Sequence, residues 1–208
     1  MFIPAPSGGH MPGGVAMTLH ITGDAEADAL LSDNNFALLL GMLLDQQVAM
    51  ETAFAGPAKI LERIGTLDPA ALASWDADEF VEVFKQTPAV HRYPGSMAGR
   101  VQSVAEAIVE EWGGDVTSIW TQDDPDGKEI LKRLKKLPGF GEQKAKIFVA
   151  LLGKRLDISA TGWREASAPY GEKGSYRSVA DIVDEESLTR VRETKRTAKA
   201  AAKEAKAQ

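Results

Sequence analysis

Apolar residues recur at helical spacing along most of the chain, and strand-like alternation is nearly absent. The first periodic segment starts at Asp24, which can cap a helix running through Leu31. Asn34 or Asn35 can cap the next, FALLLGMLLDQQ, which is apolar all round and so belongs at the centre of a core. Residues 48–64 follow with helical periodicity; Pro57 inside them predicts a kink or break, and Gly65 ends them. Residues 69–75 and 76–84 read as two short helices. The loop QTPAVHRYPGS leads to an amphipathic helix over 97–112, with Val101, Val104, Ala105, Ile108 and Val109 on one face and Gly113-Gly114 closing it. Two more helices, 127–137 and 142–152, flank Pro138-Gly139-Phe140-Gly141. Residues 157–184 look irregular apart from a helix near 161–168, and 185–203 is helical by propensity before a lysine-alanine end that frays. The pattern predicts an all-α fold.

Residues 1–17, rich in Gly and Pro and without periodicity, read as a disordered leader in which His10 carries little weight. The organisation expected is that leader, a domain over 18–184 and a basic helical tail over 185–208. The longest apolar run, residues 36–44 with Gly41 allowed, is well short of the roughly 20 residues that span a bilayer. No basic region precedes an apolar stretch at the N-terminus, so an intracellular, cytoplasmic protein with no membrane partner is expected. The absence of cysteine excludes disulfides, thiolate zinc, cysteine-ligated iron–sulfur clusters and a cysteine nucleophile.

The net charge of −6 argues against a nucleic-acid binder until its distribution is read. Residues 1–120 hold 5 basic and 16 acidic side chains, whereas 121–208 hold 19 basic and 14 acidic. Within 127–155 the balance is 9 basic to 2 acidic, and a local cluster outweighs the total because salt screens charges beyond about 8 Å. The cluster surrounds LKRLKKLPGFGEQKAKIFVALLG, which reads as helix, tight turn, helix. Two glycines permit positive φ and close approach of a partner, and amides at the start of the second helix offer an anion site. Lys135, Lys136, Lys144 and Lys146 lie around that turn, an arrangement suited to DNA phosphates.

This is the signature of the helix-hairpin-helix motif. Together with the upstream LLDQQ and the helix MAGRVQSVAEAIVEEWGGDV, it resembles the HhH-GPD superfamily of base-excision DNA glycosylases, the endonuclease III-like group, over roughly residues 36–157. The resemblance implies two all-helical lobes with a cleft between them, duplex DNA carrying a damaged base as partner, and a target base flipped into the cleft. In DNA contact it assigns Pro138, Gly139, Phe140 and Gly141 of the turn with Lys136 and Lys144, and it matches Gln46, with Gln47 beside it, to the plug that fills the vacated space. The alternative for the two glutamines is satisfaction of backbone groups between helices.

Bifunctional members carry a lysine two residues after the last hairpin glycine, and Gln143 stands there, so the resemblance implies no imine and no lyase step. Lys144 lies one residue further, about 100° round the helix, and should point elsewhere. Catalytic members place an aspartate just past the second hairpin helix to stabilise positive charge on the sugar. The only acidic residue in that region is Asp157, which can also serve as an N-cap or a partner of Arg155; its context, LDIS, departs from the family pattern. No cofactor is expected: the family's iron–sulfur cluster needs cysteines this chain lacks, no metal site is visible, and a monovalent cation on the hairpin carbonyls is an option the family uses.

His91, Arg92 and Tyr93 fall in what reads as a solvent loop, Trp163 with Arg164 and Tyr170 as core rather than base-stacking residues, and Trp75, Trp112 and Trp120 as packing. Lys195, Arg196, Lys199 and Lys203 read as solvated tail charge with weak affinity for DNA. The leading expectation is a monofunctional DNA N-glycosylase of base-excision repair. Its rivals are a non-catalytic helix-hairpin-helix DNA-binding protein and a helical protein-binding scaffold.

Overall fold

The computed structural model describes residues 18–207, so the leader expected over 1–17 lies outside the described residues. The chain forms α1 (Ala25–Asp33), α2 (Asn35–Leu44), α3 (Met50–Phe54), α4 (Gly56–Ile64), α5 (Pro69–Ser74), α6 (Ala77–Lys85), α7 (Pro94–Trp112), α8 (Ser118–Thr121), α9 (Gly127–Lys136), α10 (Glu142–Arg155), α11 (Trp163–Ala166), a 3-10 turn (Val179–Asp181) and α12 (Glu185–Ala207). No strand occurs among the described residues.

Six helices start on an aspartate or asparagine whose side chain accepts a backbone N–H of the first turn: Asp24, Asn34, Asp68, Asp76, Asp126 and Asp184. Asn34, not Asn35, is therefore the cap of α2. Pro57 sits in the first turn of α4, and the run over 48–64 breaks at Ala55 into α3 and α4. Gly65 closes α4 at φ +78°. Every residue of α2 after Asn35 is buried, and each fully buried leucine there contributes roughly 2 kcal/mol. The close approach of α3 depends on Gly41: a Cβ at that position would lie 2.5 Å from the Phe54 ring.

Helices α1, α3 and α4 pack on α2, while α5 and α6 pack on α7. The second group is α9, α10 and α11 with the 3-10 turn. Helix α2 touches both α7 and α10, and one continuous apolar cluster runs through both groups. Helix α12 enters that cluster through Leu188 and Val191 only. Among the described residues no helix is long and apolar enough to cross a membrane.

Three expectations shift. Helix α2 stops at Leu44, so Asp45, Gln46 and Gln47 form a turn rather than a last helical turn. Helix α7 begins three residues early because Pro94 occupies its first position, where a missing N–H costs nothing. Helix α10 continues to Arg155, which changes where the following residues lie.

Candidate nucleic-acid interface

The hairpin turn is built from the core outward. Leu137 and Phe140 are both 3% exposed, and the Phe140 ring meets Phe148 of α10 edge-on at 6.3 Å between centroids. Between them Gly139 adopts φ +78°, and a Cβ there would lie 2.7 Å from Leu43 Cδ1 of α2. Glycine is needed for both reasons. Phe140 is thus an anchor that faces inward, and only its backbone can meet DNA, a correction to its expected role.

Unlike those six capped helices, α10 starts at Gly141 with no side-chain cap, leaving its first amides open toward solvent. Gly139, Gly141, Lys135 and Lys136 are exposed around those amides, with Pro138 half-buried. Open amides at a helix N-terminus beside lysines form an anion site. Glu142 tempers it by pairing with Lys146 at 2.9 Å and Lys135 at 3.5 Å, which holds its carboxyl below the usual range. The carbonyls of Pro138, Gly139 and Phe140 accept no hydrogen bond from the described residues.

The DQQ turn is clamped from several elements. The Gln46 amide donates to Leu43 O at 3.3 Å and to Met97 Sδ at 3.3 Å, and its Oε1 accepts from Arg100 of α7 at 2.9 Å. Its backbone carbonyl meets His91 Nε2 at 3.1 Å. His91 Nδ1 accepts from the Tyr93 N–H at 3.0 Å, so the proton sits on Nε2 and the ring is neutral. Burial holds His91 below its ordinary pKa, with the Lys144 and Arg100 charges acting in the same direction. The loop that carries it is solvent-exposed at Arg92 and Tyr93, as expected, but not at its centre. Val90 and His91 are buried, while Lys59 and Arg63 of α4 donate to the carbonyls of Ala89 and Pro88. Gln47 differs from its neighbour: it is exposed, takes φ +57°, and its side chain has no partner among the described residues. Non-glycine residues held at positive φ are strained, and such strain clusters at functional sites.

Lys144 does not point at the phosphate surface. Its Nζ donates to Leu43 O at 2.5 Å, joining the hairpin helix to the end of α2. Burial lowers its pKa to about 8; the Asp45 carboxylate opposes that and Arg100 adds to it. Asp45 in turn pairs with Lys195 of α12 at 3.4 Å. Lys144, expected from sequence to contact DNA, makes this bridge to Leu43 O instead.

Gln143 is exposed and donates to the Tyr170 hydroxyl at 3.0 Å. Asp157 is not brought to it. The twelve residues from Gln143 to Arg155 rise about 18 Å along the helix, and Asp157 follows that far end. It is exposed, at φ +53°, and caps nothing that the structure records. The chain turns back at once, the Ile158 N–H donating to Leu152 O at 3.1 Å, and runs on along α10 as Trp163 packs on Gly153 and on backbone at Gly127 and Tyr170 reaches Gln143. Trp163 is buried beneath Arg164, at 4.3 Å from ring centre to guanidinium carbon.

Sequence reasoning missed His91, Arg100, Met97 and Asp45. The dense apolar-to-polar switch at LLDQQ marks the turn, but the partners that hold it come from loop 86–93 and α7, and no local pattern signals them. Among the described residues no group of three or more His, Cys, Asp or Glu could hold a metal ion.

The family model described as HhH-GPD superfamily base excision DNA repair protein matches residues 40–208, which includes the DQQ turn, the hairpin and α12. No curated protein and no solved structure matches the chain. With more than three quarters of its length covered, and with the hairpin and its uncapped helix in place, the chain belongs to the HhH-GPD superfamily of base excision DNA repair proteins.

Proposed function

We propose that this protein is a monofunctional DNA glycosylase of base-excision repair. It grips duplex DNA with the 138–141 turn, fills the place of a flipped damaged base with Gln47, and hydrolyses the N-glycosidic bond with water. The observation that carries the reading is the first turn of α10. Gln143 presents an amide, which forms no imine, and Lys144 is turned onto the Leu43 carbonyl. With an amide at 143 and the Lys144 amine directed at Leu43 O, water is the nucleophile in this reading. Gln46, the sequence match for the plug, is held by three hydrogen bonds, and its exposed, unpartnered neighbour is the side chain free to enter a duplex.

A second reading is favoured by Asp157. A carboxylate past the far end of α10, beyond about 18 Å of helix from Gln143, argues against stabilisation of a cation formed there. That position supports a protein that keeps grip and plug but leaves the bond intact.

Single-turnover assays separate the two. Excess protein is mixed with duplexes that each carry one lesion, and products are read with and without alkali, beside Asp157→Asn and Asp45→Asn. Alkali-dependent breaks support the glycosylase and identify its lesion. Persistence of those breaks in Asp157→Asn with loss in Asp45→Asn assigns the carboxylate to the DQQ turn. Breaks without alkali sink the water mechanism. Salt-sensitive binding with no product on any lesion supports the second reading.

A further inference from the structure

Helix α12 has two unlike parts. Its start is core, with Leu188 and Val191 buried and Ser187 hydrogen-bonded to Asp184. Beyond Val191 no apolar side chain larger than alanine occurs, and residues 196–205 are exposed. At the junction two ion pairs fix the helix beside the plug: Arg192 to Glu51 of α3, and Lys195 to Asp45 at 3.4 Å.

Arg192, Lys195, Lys199 and Lys203 share one helix face at three- and four-residue spacing. Lys199 and Lys203 therefore continue, about 6 and 12 Å beyond Lys195, the face that meets the DQQ turn. Neither they nor Arg196 has an ion-pair or hydrogen-bonding partner among the described residues. Like charges four residues apart repel, and nothing packs on this stretch to offset the repulsion. A polyanion lying along the row would. The stretch lacks the bulky apolar residues that seat a helix in a lipid surface. Its row also starts at the plug, where duplex DNA is already expected.

We infer that residues 195–203 of α12 form a second contact with the DNA backbone, flanking the step that the plug enters. This inference rests on the reading of hairpin and DQQ turn as the DNA interface. A row about 12 Å long faces duplex carrying roughly seven phosphate charges. The contact contributes affinity and salt dependence without reading sequence or lesion.

The test uses the full chain and Arg196→Ala/Lys199→Ala/Lys203→Ala, which keeps strong helix formers throughout. Anisotropy titrations follow binding to a duplex that holds an abasic-site analogue and extends at least one helical turn to each side. The slope of log K against log salt is expected to become shallower by about 2 to 3. Circular dichroism should show helix content equal to or above the parent's. An unchanged slope overturns the inference. A parallel Lys135→Ala/Lys136→Ala variant reports on the hairpin. Loss of slope there, with none in the α12 variant, removes the second contact and keeps the hairpin reading. Parent protein that binds duplex without salt dependence, or does not bind it, overturns both.

Discussion

Lys144→Met tests the contact that joins the hairpin to α2. The amine falls from 10.5 to about 8, mainly because burial penalises its charge. At about 1.4 kcal/mol per pH unit that is roughly 3 kcal/mol against the charged form; solvent still reaches part of the side chain, which reduces the figure to about 1–2 kcal/mol. Methionine keeps the apolar stem and removes the charge. Leu43 O is not orphaned, because the Gln46 amide also donates to it at 3.3 Å. The variant is therefore expected to be more stable than the parent near neutral pH by about 1–2 kcal/mol, while its duplex affinity falls with the loss of a cation beside the plug. The sign with pH follows from the lowered value. Between about 8 and 10.5 the unfolded chain holds more protons than the folded one, so the parent gains stability as pH rises through that window. Below it the penalty is complete. Urea unfolding at neutral pH and near the top of the window measures the gap, which should be widest at neutral pH and close as the window is crossed. A methionine variant less stable than the parent at neutral pH, or a gap that stays constant, would refute the reasoning.

Three further outcomes are expected. Gly139→Ala places a side chain at φ +78° and against Leu43 Cδ1, so stability should drop by about 2–3 kcal/mol in thermal unfolding, with duplex affinity falling further than that of a surface control. His91 sits below its ordinary 6.5 because the folded protein favours the neutral ring. Stability that is full above 6.5 is therefore lost as pH falls from there toward the folded value, and His91→Gln should flatten that part of the parent's acid curve; parallel curves for the two proteins would count against the clamp. Asp181 accepts from Lys154 at 2.6 Å, from the Ser175 hydroxyl and from the backbone of Arg177 and Ser178. Asp181→Ala should cost about 3–5 kcal/mol by stranding the Lys154 cation, and limited proteolysis should then open the 171–184 segment first.

What was legible in the sequence is whatever is decided within a few residues. Helix starts followed from Asp and Asn caps, the break before α4 from Pro57, and the hairpin from two glycines between periodic segments. What was not legible depends on distant neighbours. His91 looked like loop polarity because its partners, Gln46 O and the Tyr93 amide, create its burial only after α2 and α7 have packed. Asp157 looked placed for catalysis because its position was counted along the sequence; the unbroken run of α10 to Arg155 carries it away from the hairpin. Gln46 and Gln47 are the same residue type side by side, and only backbone geometry tells the held one from the open one.

Leu43 touches both working parts: its methyl lies beneath Gly139, and its carbonyl takes the Lys144 amine across a separation of 101 residues. If the turn is the grip and Gln47 the probe, as proposed, the two are points on one gauge. On the proposed reading, the offset between a phosphate held at the turn and a base step met by Gln47 is fixed where α2 packs on α10 at Leu43. A protein moving along a duplex with such a gauge examines each step at constant reach. Only a step that yields at that reach, because its stacking is already weak, would admit the glutamine. Discrimination then begins in the stiffness of the DNA, before any pocket has seen the base.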